Sequence, residues 1–211
     1  MEKKRLLLHI CCAPCATTVI SRLANEYQIT GFFYNPNIFP ESEYNKRLTA
    51  LKMLADLWQL VLEVGKYEHE RFLTLINGWE SEPEGGMRCE VCYGLRLNES
   101  AIKAREGNHN FLATTLTVGP KKNALVINKI GAEVAAKYGV QFIARDWKKQ
   151  NGFKHSVTLS RELGLYRQRY CGCEFSCSQM KHLDFQRAAK AGGIGVNNKL
   201  KICLTRDEGV V

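Results

Sequence analysis

Five short apolar runs, each followed by a stretch with helical periodicity, constrain the fold of this 211-residue chain more than any other feature. The apolar runs predict strands at residues 5–11, 28–34, 60–64, 110–114 and 140–144. Helices are predicted at residues 16–26, 41–58, 68–77, 88–105 and 124–138. Strands that alternate with helices form parallel βαβ units, in which helices cover both faces of one sheet. The sequence therefore predicts an α/β protein with a parallel central sheet.

The C-terminal third differs from the rest of the chain in pattern and in charge. Helical, basic sequence follows the last predicted strand, including a predicted helix at 178–190 and a glycine-rich tail. Residues 145–206 hold 13 Lys and Arg against 4 Asp and Glu, in a chain whose net charge is +9. We predict an α/β domain at 1–150 and a basic, mainly helical extension at 151–211 that packs on the same site. Concentrated positive charge favours a phosphate-rich partner, with a solubilising surface as the alternative.

Nine cysteines are many for a chain with 45% apolar residues, which can fill an ordinary core without covalent links. No apolar stretch is long enough to span a membrane, and the short one near the N-terminus leads directly into thiols. We therefore expect a cytoplasmic protein with no membrane partner. Thiols stay reduced in the cytoplasm, so grouped cysteines there indicate metal or redox chemistry rather than structural disulfides.

Two pairs of cysteines have the spacing of metal ligands. Cys11 and Cys12 end the first predicted strand, at the edge where open α/β sheets bind ligands. Cys89 and Cys92 share one face of a predicted helix, and Cys-x-x-Cys is a common metal-thiolate spacing. Four thiolates suit a zinc site or an iron–sulfur cluster, and the vicinal pair favours the cluster because it would strain a tetrahedral mononuclear site. Cys15, at the next helix start, is either a further ligand or a packing residue.

The pair Cys171 and Cys173 has a different character. A disulfide across one intervening residue closes a small, strained ring, and strained disulfides are easily reduced. Arg167 and Arg169 lie nearby in sequence, and cationic neighbours raise the thiolate fraction of a cysteine. We interpret the pair as a two-electron dithiol relay, with metal ligation as the alternative.

Charged and aromatic residues near predicted strand ends are candidates for the rim of the same site. Asp146 is a candidate proton donor or metal ligand, although an ion pair with a neighbouring basic residue would explain it equally. The candidate contacts to RNA are Lys121, Lys122, Lys148, Arg167, Arg169 and Tyr170. The run Thr114–Asn123 is not a Walker loop, and no pyrophosphate-binding loop follows the first strand, which argues against ATP hydrolysis.

Four motifs occur in order along the chain, at His9–Cys15, Phe33–Ile38, Arg88–Tyr93 and Leu165–Cys173. Together they resemble the QueH family, the cobalamin-independent epoxyqueuosine reductases, and the resemblance extends over nearly the whole chain. It implies a Rossmann-like sheet of the nucleotide α-hydrolase, PP-loop type. The run Val118–Lys122 departs from the Ser-Pro-Tyr-Lys-like sequence expected of the family.

The resemblance also implies the last step of queuosine biosynthesis, in which epoxyqueuosine at the wobble position of tRNA is reduced to queuosine. It implies a [4Fe-4S] cluster on Cys11, Cys12, Cys89 and Cys92, and a redox-active pair at Cys171 and Cys173. An external electron donor of unknown identity is then required, and an additional mononuclear iron is left open. The alternatives are a zinc-thiolate tRNA-binding module and a PP-loop-like tRNA thiolation enzyme, which the missing pyrophosphate loop disfavours.

Overall fold

The computed structural model describes residues 3–177, in which a five-stranded parallel sheet lies between two layers of helices. The strands are β1 (Lys4–His9), β2 (Tyr27–Phe33), β3 (Val61–Val64), β4 (Phe111–Thr114) and β5 (Gln141–Phe142). The helices are α1 (Ala13–Leu23), α2 (Glu41–Trp58), α3 (His69–Leu75), α4 (Met87–Glu106), α5 (Ala124–Lys137) and α6 (Gly152–Glu162), with a 3₁₀ turn at Leu116–Val118. The strand order β3-β2-β1-β4-β5 is Rossmann-like, so the predicted α/β fold with a parallel central sheet is confirmed.

Most elements lie close to their predicted positions, and the differences have local causes. α2 has its predicted bounds, 41–58, because its apolar residues recur at helical spacing. α1 begins at Ala13, three residues before the prediction, because Pro14 occupies the first helical turn, where proline is tolerated. α6 (Gly152–Glu162) lies in the sequence predicted to be helical and basic, and β5 is only two residues long.

The central strand β1 is buried on both faces. Leu6, Leu7 and Leu8 are each 0% exposed. Leu6 and Leu8 pack with α1 and α2, whereas Leu7 packs with α4 and α5, because successive side chains of a strand point to opposite faces. The end of β1 is therefore held from both sides, and Cys11 and Cys12 follow after the buried Ile10.

The sequence after β5 returns to this core. α6 packs against α1, and Leu165 joins the core that β1 shares with α1 and α2. The predicted helix at 178–190 and the glycine-rich tail lie outside the described residues, so the division into 1–150 and 151–211 stays a prediction. Within residues 3–177, every helix is too short or too polar to traverse a bilayer.

Leu7→Ala should lower the free energy of unfolding by about 2–5 kcal/mol, because it leaves a cavity beside a fully buried strand. The matched control is Leu57→Ala on the solvent side of α2, where the side chain is 60% exposed. It should change the free energy by less than about 0.5 kcal/mol. Urea unfolding followed by circular dichroism measures both variants. Equal losses would contradict the placement of β1 in the core.

Candidate active site

The candidate site lies at the carboxyl ends of β1 and β4, where the strand order reverses and a crevice forms. Cys11 follows β1, and Thr115 follows β4. The Thr115 hydroxyl accepts a hydrogen bond from the Cys11 backbone N at 3.0 Å and donates to the Cys11 Sγ at 3.2 Å. These contacts tie the two strand ends together beside the first thiol.

Three thiols gather where α1 begins. The Sγ atoms of Cys11, Cys12 and Cys15 all lie within 4.8 Å of one another, and those of Cys11 and Cys12 are 3.8 Å apart. Hydrogen bonds from Cys12 and Cys15 hold the pKa of Cys11 well below its usual range, whereas the contact with Cys11 raises the pKa of Cys12 to about 12. Contacts with Cys11 and Cys12 raise the pKa of Cys15 as well, so Cys11 is the thiol of this group that loses its proton most readily. Cys15, which the sequence left open, lies with two of the predicted ligands.

The two cysteines of α4 lie next to this group but outside the set of sulfurs within 4.8 Å of one another. Cys89 and Cys92 are both buried, and the backbone N of Gly85 donates to the Cys89 Sγ at 3.2 Å. Burial raises the pKa of Cys92 to about 12, against the opposing charge of Arg96, whose Nη1 lies 4.0 Å from the Cys92 Sγ. Cys11 packs against the apolar cluster that contains Cys89. The two predicted ligand pairs therefore lie at the same end of the sheet.

Cys171 and Cys173 lie on a loop beside these groups, and both are free thiols. Gly172 between them has a φ of +140°, and a Cβ added there would lie 3.0 Å from the Ile38 Cγ1, so the position requires glycine. The Gly172 carbonyl accepts a hydrogen bond from the Phe39 backbone N at 2.8 Å. We call residues 171–173 the dithiol loop.

A buried ion pair on α2 holds the dithiol loop. The Arg47 Nε donates to the Glu43 Oε1 at 2.8 Å, and the two side chains are 2% and 5% exposed. The two Nη atoms of Arg47 donate to the carbonyls of Cys171 at 2.9 Å and Tyr170 at 3.2 Å. The Tyr166 hydroxyl donates to the second Glu43 oxygen at 2.7 Å. The ion pair therefore fixes the backbone that carries the redox cysteines predicted from the sequence.

A cavity of about 270 Å³ opens between these elements. Its lining includes three cysteines, six basic residues and one acidic residue, together with the aromatic residues Phe153 and Tyr170. The cysteines are Cys11, Cys15 and Cys171, the basic residues are Arg47, Arg96, Lys121, Lys122, Arg167 and Arg169, and the acidic residue is Glu84. Such a wall suits a negatively charged ligand that must come close to thiols.

The predicted RNA contacts divide into two groups. The predicted contacts that line the cavity are Lys121, Lys122, Arg167, Arg169 and Tyr170. Lys148 does not line the cavity. Its Nζ donates to the Lys122 carbonyl at 3.0 Å and pairs with the Asp146 carboxylate at 3.0 Å. Asp146, the predicted proton donor, likewise does not line the cavity. The ion pair that the sequence offered as its alternative explanation is present.

Two further side chains contact the thiols and were not predicted. Arg96 lies on the face of α4 that carries Cys89 and Cys92, since residues three or four apart share a helix face, and this spacing identifies it in retrospect. Gln168 donates from its Nε2 to the Cys12 Sγ at 2.9 Å, across 156 residues of chain. No local pattern predicts that contact.

The buried guanidinium groups near these cysteines indicate whether the site suits a metal cluster. Arg88 and Arg96 are 1% and 2% exposed, and the Nε of each has no hydrogen-bond partner within the described part of the chain. A buried guanidinium is costly without nearby negative charge. Cysteines that bind a metal are deprotonated and supply that charge. The residues present therefore fit a thiolate-bound cluster.

Comparison with known proteins identifies the chain's relatives. A family model for the epoxyqueuosine reductase QueH matches residues 6–179. QueH of Thermotoga maritima is 39% identical over 187 residues, which cover 86% of this chain and 96% of the relative. QueH of Streptococcus pyogenes serotype M1 is 35% identical over 192 residues, which cover 88% of this chain and 74% of the relative. These matches confirm the resemblance that the four motifs indicated.

A solved structure shows a similar fold. The U34-tRNA thiolase NcsA from Methanococcus maripaludis, determined with its [4Fe-4S] cluster, matches with a TM-score of 0.50. The match covers 90% of this chain and 67% of that chain, at 14% identity. The likeness therefore concerns the fold, and it confirms the predicted fold class.

Arg47→Met should lower the free energy of unfolding by about 3–5 kcal/mol, because it leaves the buried Glu43 carboxylate without its cation. Lys46→Met is the matched control, since Lys46 is the exposed neighbour on the same helix. It should leave the free energy within about 0.5 kcal/mol of wild type. Urea unfolding compares the two variants. A loss no larger than that of the control would show that the ion pair does not stabilise the fold.

Proposed function

The chain belongs to the QueH family of epoxyqueuosine reductases, and we propose that it reduces its substrate in the cavity described above. The enzyme is an oxidoreductase whose substrate is carried by tRNA. The observation that best supports the proposed site is a cationic cavity whose wall contains Cys11, Cys15 and Cys171, with the cluster that contains Cys89 packed against Cys11.

The proposed ligands of a [4Fe-4S] cluster are Cys11, Cys12, Cys89 and Cys92. Their burial and the nearby guanidinium groups support this assignment, because deprotonated sulfurs would place negative charge beside buried positive charge, as where Arg96 contacts the Cys92 Sγ. When bound, the cluster would supply single-electron transfer and Lewis acidity. Cys15 is a donor beyond these four, within 4.8 Å of two of them, and an additional mononuclear iron stays a prediction.

We propose that Cys171 and Cys173 are the immediate reductant. When their sulfurs form one S–S bond, the two thiols give up two electrons and two protons. The conversion of an epoxide to an alkene and water consumes the same number of each. An external donor must then return two electrons and two protons to the disulfide. Asp146 stays a prediction as a proton donor, since its ion pair with Lys148 supports a structural role.

The cationic part of the cavity supports tRNA binding. We propose that Lys121, Arg167 and Arg169 contact phosphates, which basic side chains neutralise in most complexes with nucleic acids. Phe153 is 38% exposed and lines the cavity, so its ring is available for stacking on a base. The hydroxyl and one ring face of Tyr170 already have partners within the protein, which favours Phe153 for that role. We expect the enzyme in the cytoplasm, where its tRNA substrate is found.

Cys171→Ser should abolish reduction of epoxyqueuosine tRNA and leave the iron content unchanged, because it removes the reductant and no cluster ligand. Cys89→Ser should lower the iron content. The wild-type protein, purified without oxygen, should hold about four irons and four sulfides per chain in the cluster. Iron, sulfide and visible absorbance are measured beside nucleoside mass spectrometry of the tRNA product.

Two results would contradict these assignments. Loss of iron in Cys171→Ser would make that cysteine a ligand. A colourless wild-type protein that holds one zinc would exclude the cluster and the redox mechanism, and it would favour the zinc-thiolate alternative.

Replacing Arg167 and Arg169 together with Gln should weaken tRNA binding, because two phosphate contacts are lost. The slope of log K against log salt concentration should fall by about one for each lost contact. Lys52→Gln, an exposed lysine on α2, is the control and should leave the slope unchanged. Fluorescence anisotropy over a salt series measures the slope. A wild-type slope in the double variant would show that these arginines do not contact phosphates.

A further inference from the structure

Lys122 differs from its neighbour in being almost fully buried. Its side chain is 10% exposed, whereas that of Lys121 is 74% exposed. The Lys122 backbone N donates to the Gly119 carbonyl at 3.1 Å, and the Lys122 carbonyl accepts from the Lys148 Nζ at 3.0 Å. These contacts fix the backbone of Lys122, so its ammonium occupies a defined place in the cavity wall. An ammonium this deeply buried is poorly placed to meet a hydrated phosphate.

The Lys122 ammonium contacts a thiol of the dithiol loop. Its Nζ donates to the Cys171 Sγ at 2.9 Å and to the Glu84 Oε1 at 3.1 Å, and it lies 5.9 Å from the Tyr93 ring centroid. Burial acts to lower the pKa of Lys122, but the negative charge of Cys171 raises it above the usual range. The group therefore stays an ammonium. A cation in hydrogen-bond contact with sulfur stabilises the thiolate over the thiol.

Cys173 has different surroundings. Within residues 3–177, its Sγ hydrogen-bonds to the Ser176 Oγ at 3.5 Å and to no cationic nitrogen. Burial raises the pKa of Cys173 and the charge of Cys171 adds to that effect, while Ser176 and the more distant charge of Arg88 oppose it. Cys173 is also buried, whereas Cys171 lines the cavity. Two thiols separated by one residue thus differ both in their charge partner and in their access to a substrate.

We infer that Lys122 is a catalytic residue that makes Cys171, and not Cys173, the reacting thiolate of the dithiol loop. The inference rests on the proposed function of the pair. Cys171 gives up its proton to solvent when its sulfur reacts, and the Lys122 ammonium at 2.9 Å stabilises the negative charge that forms there. One S–S bond then forms with Cys173, two electrons pass to the substrate, and the epoxide oxygen leaves as water. That water takes one proton from Cys173 and one from solvent. Lys122 is thereby removed from the predicted tRNA contacts.

Alkylation of the anaerobically purified, iron-containing protein with iodoacetamide, followed by peptide mass spectrometry, tests this inference. In the wild type, Cys171 should react faster than Cys173. Lys122→Met should slow alkylation of Cys171 about tenfold or more, because the thiolate is the reacting form. Lys122→Arg should retain most of the rate, and Lys129→Met, an exposed lysine on α5, should not change it. Lys122→Gln replaces the methionine variant if the latter loses iron.

Steady-state kinetics separates a catalytic role from a tRNA contact. Lys122→Met should lower kcat for epoxyqueuosine tRNA and leave KM close to its wild-type value. A raised KM with unchanged alkylation of Cys171 would overturn the inference, even if the wild type reduces epoxyqueuosine. A third outcome is that alkylation of Cys171 depends on Lys122 but the wild-type protein reduces no epoxyqueuosine. That outcome would contradict the proposed function and leave the pairing of Lys122 with Cys171 intact.

Discussion

The burial of β1 on both faces is the constraint on which the rest of this site depends. Helices from both layers enclose its leucines, so the strand cannot shift without opening a cavity in a close-packed core. The strand order reverses beside β1, and its carboxyl end therefore faces a crevice. Cys11 and Cys12 are consequently positioned by the hydrophobic core itself. The cysteines of α4 and of the dithiol loop pack near this fixed strand end.

Charge compensation is the second principle of the site. Arg47, Arg88 and Arg96 are buried near sulfur, and Arg47 is paired with the Glu43 carboxylate. Burying a cation is tolerated when an anion lies close to it. Thiolates fulfil that need, and metal binding would generate them from neutral thiols. Binding of a cluster and stability of the fold are therefore coupled through the same arginines.

The dithiol loop receives two separate kinds of support. Arg47 and Glu43 hold its backbone carbonyls, which sets where the loop runs. Lys122 contacts the sulfur of Cys171, which sets the charge of one thiol. Arg47 also lies close enough to Cys171 for their charges to interact, whereas Lys122 makes its hydrogen bond to the sulfur itself.

Apolar periodicity was sufficient to predict the parallel α/β fold and the bounds of α2, because it is a local property of the chain. Short spacings identified three cysteine pairs, but they did not place Cys15 with Cys11 and Cys12. The same kind of spacing places Arg96 beside the α4 cysteines. The partners of the thiols follow from packing instead. Gln168 and Lys122 reach their cysteines across 156 and 49 residues of chain, respectively. Such contacts depend on how helices and loops pack against the sheet and on which charges that packing buries, and periodicity carries no information about either.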